Sequence, residues 1–94
     1  MQQPTTAITV IGSTGCHLCA DARSALEEID THHRLVIRYV DAGSPEGLEL
    51  VARHRPALQP LVLVNGERFS VGRLPRRKLE RLLEARAHAA VVAP

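Results

Sequence analysis

The sequence predicts an α/β domain in which helices flank a four-stranded mixed sheet, in the order β-α-β-α-β-β-α. Three observations carry that prediction. Apolar residues recur at helical spacing in three stretches, and these stretches are separated by short runs rich in Val, Ile and Leu. Two of the runs, Ile8 to Ile11 and Leu61 to Val64, have the near-continuous apolar character of central strands covered on both faces. An Asn65-Gly66 step joins the last two runs, which is a strong type I′ hairpin signal.

The first strand is read over Ile8 to Ile11, and Gly12, Ser13, Thr14 and Gly15 form a small-residue turn after it. A helix follows from His17, with Leu18, Ala22, Ala25, Leu26 and Ile29 along one face. After a polar turn at Asp30 to Arg34, Leu35 to Val40 forms a second strand, parallel to the first through a right-handed crossover. Ser44 caps a short helix with Pro45 at its first position; Leu48, Val51 and Ala52 are its expected buried face, and it ends before Pro56. Leu61 to Val64 and Glu67 to Val71 make the hairpin. Pro75 then opens a helix carrying Leu79, Leu82, Leu83 and Ala87.

All 94 residues are expected to form a single domain, with loose ends at residues 1–6 and 89–94. Hydrophobic residues make up 45% of the chain, enough for one core, and that core must be aliphatic because the aromatics are Tyr39 and Phe69. The net charge of +2 gives no argument for nucleic acid or for a membrane surface as partner, and a monomer is expected. Lys78 is the single lysine, and the dominance of arginine reads as the codon bias of a GC-rich bacterial genome. Residues 1–6 lack the apolar core of a secretory signal, and two cysteines this close are no secreted disulfide framework. The expected compartment is the cytoplasm.

The chemistry lies in Cys16-His17-Leu18-Cys19, between a strand and a helix. The first turn of a helix presents unpaired N–H groups and a partial positive charge, which favour a thiolate over a thiol. Cys16 sits at that terminus, and Cys19 lies one turn further in, within reach of a mixed disulfide formed at Cys16. A protonated His17 beside Cys16 would favour the thiolate further, whereas a neutral exposed ring would do little.

Other uses of the pair fit less well. Zinc takes four ligands, and His17, His32, His33 and His54 match no zinc spacing. Ala20 stands where a haem-attachment signature has histidine, and Ala22 where a phosphatase-type cysteine loop needs arginine.

The stretch Gly15-Cys16-His17-Leu18-Cys19-Ala-Asp-Ala-Arg, together with Gln59-Pro60-Leu-Val-Leu-Val-Asn-Gly-Glu, resembles small bacterial glutaredoxin-like proteins of the thioredoxin superfamily. The resemblance spans roughly Ala7 to Glu84. It implies a thioredoxin fold and a dithiol oxidoreductase in which Cys16 is the nucleophile and Cys19 the resolving thiol. It also implies that Pro60 matches the proline that in this fold is cis and faces the cysteine pair, with Gln59 beside it at the substrate. Spacing alone leaves Pro60 open between that role and a plain loop end.

Relatives that bind glutathione well carry a lysine ahead of the first cysteine, proline and tyrosine between the cysteines, and a Gly-Gly-x-Asp-like turn after the fourth strand. This chain has Ser13 and Thr14, then His17 and Leu18, then Gly72-Arg73-Leu74-Pro75 at those places. Arg73, with Arg76, Arg77 and Lys78, forms a basic cluster that reads either as an anion clamp for substrate or as a solvated helix face. Substrate contacts are thus expected from Pro60, Gln59, His17 and Arg73. The expected substrate is a disulfide-containing protein or a small disulfide. No metal or resident cofactor is called for, and glutathione or another low-molecular-weight thiol is the expected reductant. The rival reading is a non-enzymatic binding module whose cysteine pair holds a metal or an iron–sulfur cluster.

Overall fold

A computed structural model describes residues 4–92 of the chain. Its elements are β1 (Thr6–Gly12), α1 (His17–Asp30), β2 (Leu35–Asp41), α2 (Pro45–His54), β3 (Leu61–Val64), β4 (Glu67–Val71) and α3 (Arg76–Val92). The sheet runs β2-β1-β3-β4. The β1/β2 pair is parallel, with Ile8 opposite Ile37 and Gly12 opposite Asp41. The β1/β3 and β3/β4 pairs are antiparallel. The element order and the central places of β1 and β3 are those the sequence predicts.

Alternation along the central strands divides the core in two. Ile8 and Val10 of β1 join Val62 and Val64 of β3 against Ala22, Leu26 and Ile29 of α1 and Leu79 and Leu83 of α3. Ile11, Leu61 and Leu63 face the other way, toward Val40 and toward Leu50 and Val51 of α2. Two helices therefore cover one face of the sheet and one covers the other, which buries β3 completely. Both Asn65 and Gly66 have positive φ, as a type I′ turn requires. Beyond that turn Phe69 is left unpaired in the β3/β4 ladder, a bulge between Val62 and Leu63.

Two expectations need correction. Leu48 is 59% exposed and Ala52 is exposed as well, so neither belongs to the buried face of α2. The inward stripe is Gly47, Leu50, Val51 and His54, one position out of phase with the predicted one. The cause is Gly47, which lies directly on the backbone of Asp41 and Ala42 where a side chain would collide. A glycine adds nothing to an apolar pattern, so the close approach that orients α2 is silent in the sequence. The second correction concerns extent. β1 already begins at Thr6, which is buried; its N–H donates to Arg34 O (3.0 Å) and its Oγ1 accepts from Arg86 Nε (3.1 Å). At the other end α3 continues through Val92. Pro4 and Thr5 precede β1 without regular structure, and residues 1–3 and 93–94 lie outside the described residues. Among the described residues no helix is long and apolar enough to cross a membrane.

Candidate active site

β1 ends at Gly12, and the turn that follows places Cys16 at the N-cap of α1. Gly15 takes φ 82°, a left-handed conformation open to glycine, which swings the chain into the helix start. Cys16 has extended backbone (φ −83°, ψ 112°), its carbonyl accepts from Ala20 N at 3.1 Å, and its Sγ accepts from Cys19 N–H at 3.1 Å. The sulfur thus occupies the place a serine or aspartate oxygen takes in an ordinary cap. An N–H aimed at Sγ, reinforced by the positive end of α1, stabilises negative charge there. Cys16 and Cys19 are joined as a disulfide, with Cα atoms 5.2 Å apart, and both residues are half-buried.

Pro60, the residue ahead of β3, lies across Gly12 from this pair. The Gln59–Pro60 bond is cis, and Pro60 is buried. Its carbonyl accepts from Gly72 N at 3.0 Å, which ties the start of β3 to the turn after β4. Gly12 lies between the two elements: a Cβ built there would fall 2.5 Å from Cys19 Sγ and 3.8 Å from Pro60 Cβ. Gln59 is exposed, and its Oε1 accepts from Ser13 Oγ at 2.7 Å. That bond clips the Gln59–Pro60 segment to the loop carrying Cys16.

The other residues predicted for the site are more loosely placed. His17, the first residue of α1, is exposed. Arg73 is exposed and follows directly on Gly72, so the link to Pro60 brings its backbone toward the cysteine end of the sheet. The basic cluster around it disperses. Arg76 pairs with Glu28 of α1 (2.5 Å) and with Glu80 (3.6 Å), and Lys78 lies over the Phe69 ring at 5.3 Å. His32 and His88 are exposed, while His33 and His54 are half-buried. Among the described residues no group of three or more His, Cys, Asp or Glu side chains is placed to hold a metal ion.

The chain also builds a groove that sequence reasoning did not foresee. It lies between α1 and β2, has a volume of about 410 Å³, and is lined by both cysteines, Arg23, Tyr39 and Asp41. The Arg23 guanidinium sits 3.8 Å from the centroid of the Tyr39 ring. Burial pushes the Tyr39 hydroxyl above its ordinary range, the Arg23 charge opposes that shift, and Glu27 and Asp30 add to it. The one available signal was the helical spacing from Cys19 to Arg23, which puts both on one face of α1. Tyr39 and Asp41 arrive only through the register of β2 on β1.

No protein-family model matches the chain, and no curated protein does. Solved structures do match. A crystal structure of chloroplastic thioredoxin z superposes with TM-score 0.66 at 18% identity, over 86% of this chain and 77% of that one. A reduced Schistosoma mansoni thioredoxin pre-protein gives TM-score 0.64 at 18% identity, over 90% and 80%. A thioredoxin-like protein from Clostridium perfringens gives 0.68 at 14% identity, over 90% and 73%. The fold is thioredoxin-like. Within it, the Cys16–Cys19 pair stands at the N-terminus of α1 with Cys-x-x-Cys spacing, beside a cis proline.

Proposed function

We propose that this chain is a glutaredoxin-like thiol–disulfide oxidoreductase that reduces protein or low-molecular-weight disulfides. The observation that carries the reading is the closed Cys16–Cys19 pair at the helix N-terminus, across Gly12 from cis Pro60. In the reduced protein the Cys16 thiolate attacks one sulfur of a substrate disulfide. A mixed disulfide forms, and the other half leaves as a thiolate that takes up a proton. Cys19 then attacks Cys16 Sγ, the mixed disulfide breaks, and the second half leaves as a thiol. Two electrons have passed from the dithiol to the substrate, and the protein is left as the Cys16–Cys19 disulfide. Two equivalents of a low-molecular-weight thiol, glutathione among the candidates, or a reductase return it to the dithiol.

Pro60 and Gln59 hold the substrate backbone beside Cys16. His17 and Arg73 offer positive charge at the rim, His17 only when protonated. The protein works in the cytoplasm as a monomer, without a resident cofactor, nucleic acid or membrane.

The test is equilibration of metal-free protein across thiol–disulfide buffers, followed by alkylation and intact mass. One two-electron transition between dithiol and internal disulfide supports the reading. Thiols that never pair, or that resist alkylation until a chelator is added, overturn it in favour of a metal-binding module. Cys16→Ser should abolish exchange, whereas Cys19→Ser should accumulate mixed disulfides with substrate.

A further inference from the structure

We infer that the groove between α1 and β2 seats one half of the disulfide substrate, and that Arg23, stacked on Tyr39, selects halves bearing a carboxylate. The inference rests on the redox reading above and gives the substrate class for that site.

Attack on a disulfide runs in line, with the attacking, central and leaving sulfurs nearly collinear, so both substrate sulfurs lie out beyond Cys16 Sγ and the carbon chain of the attacked half departs sideways, beside the cysteine. On one side stand Gln59 and Pro60, and neither of them lines the groove. The groove is the other side. Both cysteines form part of its wall, and about 410 Å³ falls within the roughly 300–1,000 Å³ usual for small-molecule sites.

Arg23 is the cation of that wall. It lies four residues beyond Cys19, about 6 Å along the helix axis, and helical side chains lean back toward the N-terminus. Stacking on Tyr39 occupies one face of the guanidinium and leaves the N–H fork in its plane, the geometry that binds a carboxylate. Other arginines are taken up within the chain: Arg38 by Glu46, Arg53 by Glu49 and Arg76 by Glu28. Among the described residues Arg23 has the ring contact and no carboxylate partner. The lining also holds the carboxylate of Asp41, whose Oδ1 accepts from Gly43 N–H at 3.1 Å and which keeps its charge. A carboxylate a few bonds from the substrate sulfur would meet an oriented guanidinium that has no ion-pair partner among the described residues while that sulfur lies at Cys16.

The test uses pre-reduced protein in single turnover, so that no electron donor enters. Rates of internal disulfide formation are measured with dithiodipropionate, hydroxyethyl disulfide and cystamine, each divided by its rate with dithiothreitol. The normalised preference for dithiodipropionate over hydroxyethyl disulfide should be about 1.5-fold to fivefold, the span of an exposed charge pair, and should fall as salt is added. Cystamine should rank last. Arg23→Gln should abolish the preference, and Tyr39→Leu, which frees the guanidinium from its platform, should reduce it. Because each preference is a ratio taken on one sample, partial misfolding of a variant cancels. A ratio equal in wild type and Arg23→Gln overturns this inference alone. Failure to turn over any of the three disulfides overturns the redox reading and this inference with it.

Discussion

Replacing Gly12 with alanine tests whether the cysteine pair is packed as tightly as its geometry demands. The new Cβ would fall 2.5 Å from Cys19 Sγ and 3.4 Å from Cys19 Cβ. Ordinary contacts begin near 3.4 Å, so the sulfur or the backbone must yield by roughly 1 Å. The backbone is pinned: Gly12 pairs with Asp41 in the parallel ladder, and its carbonyl accepts from Ala42 N at 2.8 Å. In the disulfide the sulfur is also held, by its bond to Cys16. In the dithiol Cys19 can turn to another staggered rotamer and clear the methyl. Overpacking of this kind is worth about 1–3 kcal/mol, and the oxidised protein should bear most of it. The unfolded chain closes its disulfide equally well with either residue at position 12. The difference between the two stability losses therefore equals the shift in the dithiol–disulfide equilibrium. A difference of about 1.4 kcal/mol moves the midpoint by about 30 mV toward a stronger oxidant. Denaturant unfolding of both redox forms, together with equilibration in thiol–disulfide buffers, measures each side of this cycle. Equal losses in the two forms with an unmoved midpoint would refute the reasoning and place the strain in the backbone.

Three further outcomes are expected. Ser13→Ala removes the bond to Gln59 Oε1 at an exposed site, so stability should change by no more than about 0.5 kcal/mol, while kcat/KM for disulfide substrates should fall a few-fold as the Gln59–Pro60 segment loosens; a larger fall in unfolding free energy with unaltered kinetics would make the bond structural only. Ser70 Oγ is buried without a hydrogen-bond partner, so Ser70→Ala should leave stability unchanged or raise it by up to about 1 kcal/mol in denaturant unfolding, and a loss above that would show that the hydroxyl is satisfied. Tyr39 is the only tyrosine and the chain has no tryptophan, so its phenolate absorbance reports one group; it should ionise above the ordinary tyrosine range, and Arg23→Gln should push it higher by removing the neighbouring positive charge. An identical titration in the two proteins would mean that the cation does not lie over the ring in solution.

How far the sequence could be read depended on whether a feature is local. The order of elements, the central strands and the Asn65-Gly66 turn are local patterns of burial and backbone preference, and they were legible. So was the placing of Cys16 at a helix start, since the small-residue turn before it and the apolar spacing after it lie within a few residues. The orientation of α2 was not, because Gly47 acts through what it lacks and its partners are the backbone of Asp41 and Ala42. The partners of the basic cluster were hidden for a related reason. Arg73, Arg76 and Arg77 are neighbours in sequence, yet Arg76 answers to Glu28, 48 residues away. The same holds for the site's unforeseen parts: Ser13 and Gln59 are 46 residues apart, and the groove needs β2 in register with β1 before Tyr39 can meet Arg23.

This contrast bears on how such a site divides its tasks. The cysteines assigned to bond making and the proline assigned to hold the substrate stand near the ends of the two central strands: Cys16 and Cys19 follow β1, and Pro60 precedes β3. β3 is buried along its whole length and β1 at Ile8, Val10 and Ile11, and a substitution there acts on Ile8, Ile11, Leu61 or Val62, all essentially fully buried. Changes to the reactive geometry from that direction carry the full penalty of disturbing the core. The edge strands differ. β2 leaves Val36 58% and Tyr39 38% exposed, and β4 leads into the exposed Arg73. Residues at the edges can change at little cost in stability, yet Tyr39 lines the groove that holds both cysteines, and Arg73 follows the turn residue tied to Pro60. Substrate preference should accordingly respond to substitutions on β2 and in the turn after β4 that leave unfolding free energy nearly untouched. Substitutions at the ends of β1 and β3 should move stability and the dithiol–disulfide midpoint together. A β2 surface variant that shifts the midpoint as strongly as Gly12→Ala would break this division between centre and edge.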